Sequence, residues 1–219
     1  MLIVLRLIPG LLTLSAIGRQ FTIQVQLGFS VVNFFSYFTN LSNLFAAIVL
    51  IFGAFQLVAH RRPSASNDLL RAVAVVNMAV VGIVFAVLLR DVDVGHLLPW
   101  VNAVLHYIMP IVVAIEWLLQ PPRTKLGVRQ MLLCQVFPLL YLIYLLVRGA
   151  IVGWYPYPFL NPIIVGGYGS VAAYVIGIVM VFCIVSWSLL TLGSKLRSPT
   201  TQSNLGSICR TRNPGADSD

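Results

Sequence analysis

Carboxylates are scarce in this chain, with only six Asp and Glu residues among 219. Charged residues of all kinds make up 9%, where a soluble domain carries roughly 25%. That deficit excludes an ordinary water-soluble domain. Cysteine is also rare: Cys134, Cys183 and Cys209 stand alone, with no CxxC spacing, so neither a disulfide framework nor a zinc site is supported. The sequence has no GxSxG, P-loop, dinucleotide fingerprint or HExxH motif, which removes the common routes to soluble hydrolysis, nucleotide binding and zinc chemistry. Asp91, Asp93, His96 and His106 match no compact ligand spacing. No metal and no other cofactor is expected.

What the chain has in abundance is apolar side chains, at 59% of residues with a mean hydropathy of +0.93. They fall in several runs long enough to cross a bilayer. The expectation is an all-α, polytopic integral membrane protein with six transmembrane helices in one bundle over residues 1–192. A polar, basic tail over 193–219 is expected to be disordered. The spans are read as 2–17, 34–59, 69–89, 99–119, 128–150 and 166–192. The first run is taken as a retained span, because its charged leader is poor and no clear cleavage site follows. Residues 18–33 read as a loop with an interfacial portion. A helix cap is expected at Asn67 or Asp68, and a kink at Pro110. The Trp154 to Phe159 loop, dense in Trp, Tyr and Pro, suits headgroup depth.

The net charge of +8 does not point to a nucleic-acid partner, because Lys and Arg cluster at span ends. Arg61, Arg62, Arg71, Arg123, Lys125, Arg129, Lys195, Arg197, Arg210 and Arg212 fall on one side, against Arg19, Arg90 and Arg148 on the other. Positive residues stay inside, so both termini are expected in the cytoplasm of a multi-pass protein of the plasma or inner membrane. The bilayer is its first partner.

Two polar features interrupt the apolar runs. The second span opens on Ser36-Tyr37-Phe38-Thr39-Asn40-Leu41-Ser42-Asn43. The fourth carries His106, with Asn102 four residues earlier on the same helical face. An ionisable group at membrane depth is a candidate functional residue. Thr39 and His106 each lie on the order of 10 Å inside the outer end of an inward-running helix, at about 1.5 Å per residue. A hydroxyl and an imidazole at one depth are the parts of a nucleophile with its base. Asn40, Asn43 and Asn102 are candidates to donate to an oxyanion or orient the ring. Arg148 and Arg90, on the same side, are candidates to hold a substrate's polar end. Glu116, roughly 15 Å along the helix from His106, is expected to be paired rather than catalytic.

The same residues carry a resemblance. Tyr37 to Asn43, Leu105-His106-Tyr107 with Pro110, Glu116-Trp117, and Arg148-Gly149 with Gly153 to Phe159 resemble a bacterial family of six-span membrane proteins. That family is remotely similar to the eukaryotic androgen-induced and androgen-dependent-TFPI-regulating membrane proteins. The resemblance implies threonine hydrolases that cleave fatty-acid esters of hydroxy fatty acids. It implies a catalytic Thr at Thr39, a catalytic His at His106, and a lipid-like ester as substrate. Two other functions fit the residues alone. One is a small transporter using the same polar cluster, with Asn77, Asn102 and the Pro110 break lining a midway site. The other is a non-catalytic scaffold whose polar groups serve helix packing.

Overall fold

The computed structural model describes residues 1–61, 64–92 and 97–196. The expectations for Arg62, Asp93, His96, Arg197, Cys209, Arg210 and Arg212, and for the tail from residue 197, lie outside the described residues. Eight α-helices run in order: α1 (Leu2–Gln26), α2 (Val31–Phe35), α3 (Phe38–Val58), α4 (Ala65–Val84), α5 (Pro99–Ala103), α6 (Met109–Leu119), α7 (Val128–Val152) and α8 (Tyr168–Leu196). A π-helical turn, Phe85–Leu89, extends α4, and another, Val104–Ile108, joins α5 to α6. The described residues contain no strand. Six helical stretches are long and apolar enough to cross a membrane: Leu2–Gln26, Phe38–Val58, Ala65–Leu89, Pro99–Leu119, Val128–Val152 and Tyr168–Leu196.

Several expected boundaries move, each for a local reason. Residues 18–26 continue α1 instead of forming a loop. One polar side chain faces protein there: Gln20 is buried, and its Oε1 accepts the Leu98 N–H at 3.2 Å. The second span begins at Phe38, after a break at Ser36 and Tyr37 that sets off the short α2. The third begins at Ala65, because Ser64 and not Asn67 or Asp68 caps it, its hydroxyl accepting the Asn67 N–H at 3.3 Å. The last helix continues to Leu196, four residues into the expected tail.

The outer faces of the long helices are apolar, as membrane spans require. The third span is the most hydrophobic, at a mean hydropathy of 2.8, and 56% of its central window is buried. An all-round apolar helix belongs at the centre, and α4 packs against α3, α6, α7 and α8. Exposed Ile111, Leu140, Ile143, Ile184 and Trp187 form the outward face. Because lipid tails are as apolar as leucine, burial gives little drive between such helices, and close packing of small residues replaces it. Ala16, Ala46, Ala47 and Ala54 are fully buried where α1 meets α3. A Cβ on Gly10 would lie 2.8 Å from Ile51 Cγ1.

The basic end of the bundle is held by a buried ion network. Glu116 Oε1 accepts from Arg6 Nε at 3.0 Å and Arg71 Nε at 3.1 Å, and its Oε2 accepts from Arg71 Nη2 at 3.1 Å. Arg6 Nη1 also donates to the Gly53 carbonyl at 2.8 Å, and its Nη2 to Gln120 Oε1. All three charged side chains are at least nine-tenths buried. The expected pairing of Glu116 is therefore present, and its partners are an intramembrane Arg and a span-end Arg. Asp68, 1% exposed, accepts from the Arg123 N–H, the Thr124 N–H and the Thr124 hydroxyl at 2.8–2.9 Å. It pins the α6–α7 loop to the start of α4. Asp68→Ala is expected to cost about 1–3 kcal/mol through two orphaned N–H groups, read as a lower unfolding midpoint in detergent. An unchanged midpoint would contradict that role.

Candidate functional site

Pro110 sets the local geometry of the site. Its ring nitrogen has no hydrogen to give to the carbonyl four residues back, and the ring crowds that carbonyl. The helix responds by widening into the π turn Val104–Ile108, which contains His106. Gly82 on α4 makes room for this bulge, since a Cβ there would lie 3.3 Å from Pro110 Cβ and 3.8 Å from the His106 carbonyl oxygen. The second π turn starts at Phe85, whose ring stacks on the His106 imidazole at 4.1 Å between centroids and 23° between planes.

His106 Nδ1 lies 3.3 Å from the Asn102 carbonyl oxygen. A carbonyl only accepts, so the contact requires hydrogen on Nδ1 and leaves the lone pair on Nε2. An imidazole in that tautomer is ready to take a proton.

Thr39 sits in the first turn of α3, directly after the break at Ser36–Tyr37. A break at this depth exposes backbone groups that lipid cannot satisfy. Two tyrosines supply partners. Tyr141 Oη donates to the Ser36 carbonyl at 2.7 Å, and the Phe38 N–H donates to Tyr157 Oη at 2.9 Å. Thr39 and Tyr157 line the same cavities. Burial pushes the Tyr157 phenol up to about 12, so near neutral pH it keeps a proton to donate. Nothing local marked Tyr157 in the sequence. Only the Tyr-Pro-Tyr-Pro pattern hinted that this loop is built rather than slack, and the fold turns it inward rather than leaving it as an interfacial belt alone.

Thr39 and His106 are not hydrogen-bonded to each other. They line one cavity of about 270 Å³, closed by Gln20 and Gln24 of α1, by Phe85, and by the Tyr155–Pro158 loop. A second, apolar cavity of about 340 Å³ runs between α4, α7 and α8, past Val80, Leu142, Val175 and Phe182. Thr39, Leu89 and Tyr157 belong to the walls of both. Thr39 thus stands where a chamber of mixed lining, with Gln20, Gln24, Asn40 and His106 among apolar side chains, meets an almost wholly apolar slot.

The other candidate residues have separate places. Asn40 lines the chamber and donates through Nδ2 to the Phe34 carbonyl at 2.8 Å, leaving one N–H uncommitted. Asn43 is fully buried and does not line the cavity; its Nδ2 donates to the Thr39 carbonyl at 2.9 Å and the Leu105 carbonyl at 3.1 Å. Its amide is thus spent on two carbonyls, one in its own helix and one, on Leu105, that ties α3 to the π turn of His106. Asn102 acts through its backbone carbonyl. Arg148 stands outside the cavity wall, its Nη2 donating to Asn33 Oδ1 at 2.5 Å and its guanidinium 5.1 Å from the Trp154 ring centre. Arg90 is exposed on the turn after the π segment and does not reach the cavity. Among the described residues, no three His, Cys, Asp or Glu side chains come together as a metal site would need.

Two glycines shape the lid of the chamber. Gly153 takes φ +70°, a left-handed conformation that ends α7, with its N–H on the Gly149 carbonyl at 2.9 Å. Gly149 faces the Tyr155 ring, and a Cβ there would lie 2.0 Å from Cε1. Gly149→Ala is expected to push Tyr155 off the chamber and to cost about 1–3 kcal/mol by overpacking. Gly18→Ala, where nothing lies within 4 Å, is expected to be neutral or to stabilise by up to about 1 kcal/mol. Comparing their unfolding midpoints checks this, and equal midpoints would contradict it.

Compared with known proteins, the chain matches no family model, no curated protein and no solved structure.

Proposed function

We propose that this protein is an intramembrane hydrolase that cleaves an acyl ester, with Thr39 as nucleophile and His106 as its base. The observation that carries the reading is the shared chamber: Thr39 and His106 line one cavity, and Thr39 also lines the apolar slot beside it. The resemblance to membrane threonine hydrolases adds support, because it falls on the same two residues.

In this reading an acyl chain lies in the apolar slot and its ester carbonyl reaches Thr39. The Thr39 oxygen attacks the carbonyl carbon, and its proton passes to His106 Nε2, through one water where the two are not in contact. The protonated imidazole then gives that proton to the departing alcohol oxygen as the ester bond breaks. Water, deprotonated by the same imidazole, cleaves the acyl-threonine to release the carboxylic acid and restore the hydroxyl. The Tyr157 hydroxyl and the uncommitted Asn40 N–H are the donors nearest the attacked carbonyl. Asn43 and Asn102 position the two elements. With the Lys- and Arg-rich end of the bundle read as the cytoplasmic side of the plasma or inner membrane, both termini are cytoplasmic and the chamber lies towards the outer leaflet.

A second reading, a conduit through the bundle, draws on buried polar atoms without partners: Thr13 Oγ1, Ser42 Oγ and both amide atoms of Asn77. One experiment separates the two. Membranes containing the parent, Thr39→Ala or His106→Ala are treated with a serine/threonine-directed fluorophosphonate. A hydrolase labels in the parent and loses the label in both variants. Absent labelling, or equal labelling in all three, removes the hydrolase and leaves the conduit.

A further inference from the structure

At the basic end of the bundle, away from the chamber, a small cleft opens between α1, α3 and α4 and the end of α6. Arg6, Arg61 and Arg71 line it, with the amides of Gln56, Asn67 and Gln120, and no carboxylate does. We propose that this cleft binds the phosphate of an anionic phospholipid from the leaflet at that end.

The hydrogen bonds already made in the cleft decide what it has left to offer. Gln56 Oε1 is taken by Asn67 Nδ2 at 2.7 Å. Gln120 Oε1 is taken by Arg6 Nη2, and the Gln120 carbonyl by Arg71 Nη2 at 2.5 Å. The side-chain oxygens of Gln56 and Gln120 are occupied from within, so their amide NH₂ groups remain as donors. Arg71 Nη1 is 3.8 Å from its nearest carboxylate oxygen, on Asp68, too far for a hydrogen bond. Arg61 is exposed and its guanidinium has no partner among the described residues. Glu116 binds both Arg6 and Arg71, and Asp68 pairs with Arg71 at 3.8 Å, so among the described residues two carboxylates face three guanidinium groups and one positive charge is left over. A cleft of donors with excess positive charge recognises an oxyanion, and basic pockets between membrane helices hold lipid headgroups in this way.

Size and surroundings favour a lipid over free phosphate. The enclosed space is about 20 Å³, room for one oxygen-sized group. A phosphodiester therefore rests at the mouth with one oxygen reaching inward. The same cleft is lined by Phe52 and Leu70, 49% and 39% exposed, which offer apolar surface beside the charges. An inorganic ion has no use for that surface, whereas acyl chains do.

The test uses the full chain in neutral detergent, titrated with phosphatidylglycerol or phosphatidylcholine and read by native mass spectrometry. The expected result is one retained phosphatidylglycerol and no retained phosphatidylcholine. Arg61→Gln, on an exposed side chain, is expected to weaken retention by about fivefold, the factor for one basic residue at an anionic lipid. Arg129→Gln, an exposed arginine outside the cleft, makes the same change in charge and is expected to leave retention unchanged. Equal retention of the two lipids, or equal loss in both variants, would overturn the site. Displacement of phosphatidylglycerol by millimolar inorganic phosphate would overturn the lipid as its occupant. None of these outcomes depends on hydrolysis at Thr39.

Discussion

His106→Ala is expected to slow ester turnover by about 10²–10⁴-fold, the range for losing a positioned general base. Thr39→Ala is expected to remove covalent turnover altogether. Combined, the two substitutions should cost no more than Thr39→Ala alone, because residues acting on one step are not additive. Thr39→Ser, which keeps a hydroxyl at the same position, should keep measurable turnover. Loss of folding is not expected to mimic these effects. The one hydrogen bond of His106 stays within its own helix, and the bond from Asn43 to the Thr39 backbone carbonyl does not need the threonine side chain. Hydrolysis of a fluorogenic acyl ester by purified protein measures all four. Costs that simply add would mean that the two side chains do not serve one step.

Glu116→Ala is expected to be the most damaging single change to stability. It leaves Arg6 and Arg71 facing each other, both buried and without the carboxylate that both bind. Breaking a buried pair by removing one partner costs about 3–5 kcal/mol, and here one residue serves two partners. Arg6→Met leaves the Arg71–Glu116 pair whole and is expected to cost less, about 1–3 kcal/mol for the contacts it removes. Thermal unfolding in detergent ranks the two. A Glu116→Ala midpoint no lower than that of Arg6→Met would show that the network is not what holds this end together.

The six long apolar stretches were legible because a bilayer imposes a length and a composition that few other environments do. Pro99–Leu119 emerged with its expected bounds, and Pro110 distorted its helix as expected, although the distortion is a π turn and not a simple kink. The largest missed boundary, the end of α1, has a physical cause. Gln20, Gln24 and Gln26 looked like a loop because their polarity was weighed against lipid, whereas Gln20 faces the start of α5 and Gln24 the chamber. Arg6, inside the first apolar run, has no charged neighbour near it in the sequence. Its partner is 110 residues away, and no local pattern reports a pairing at that separation.

The candidate site was legible only in outline. Period and depth placed Thr39 and His106 on comparable helices, and the two do line one cavity. What period cannot report is which donor is already spent. Asn43 was a candidate donor, yet its amide is already spent on the Thr39 carbonyl of its own helix and the Leu105 carbonyl of the π turn. Arg148 lay at the right end of the bundle, yet Asn33 and Trp154 hold it away from the cavity wall. Tyr157, which lines both cavities with Thr39, arrives from a loop whose path is set by Gly149 and Gly153. Its role follows from tertiary packing alone.

The most direct measurement is peptide mapping of the parent protein after reaction with a fluorophosphonate ester. The account predicts one phosphonyl adduct, on Thr39, that is lost in His106→Ala while the Glu116 network and the fold stay intact. An adduct on Ser36, Ser42 or Tyr157 in place of Thr39, or one that forms equally well without His106, would contradict it.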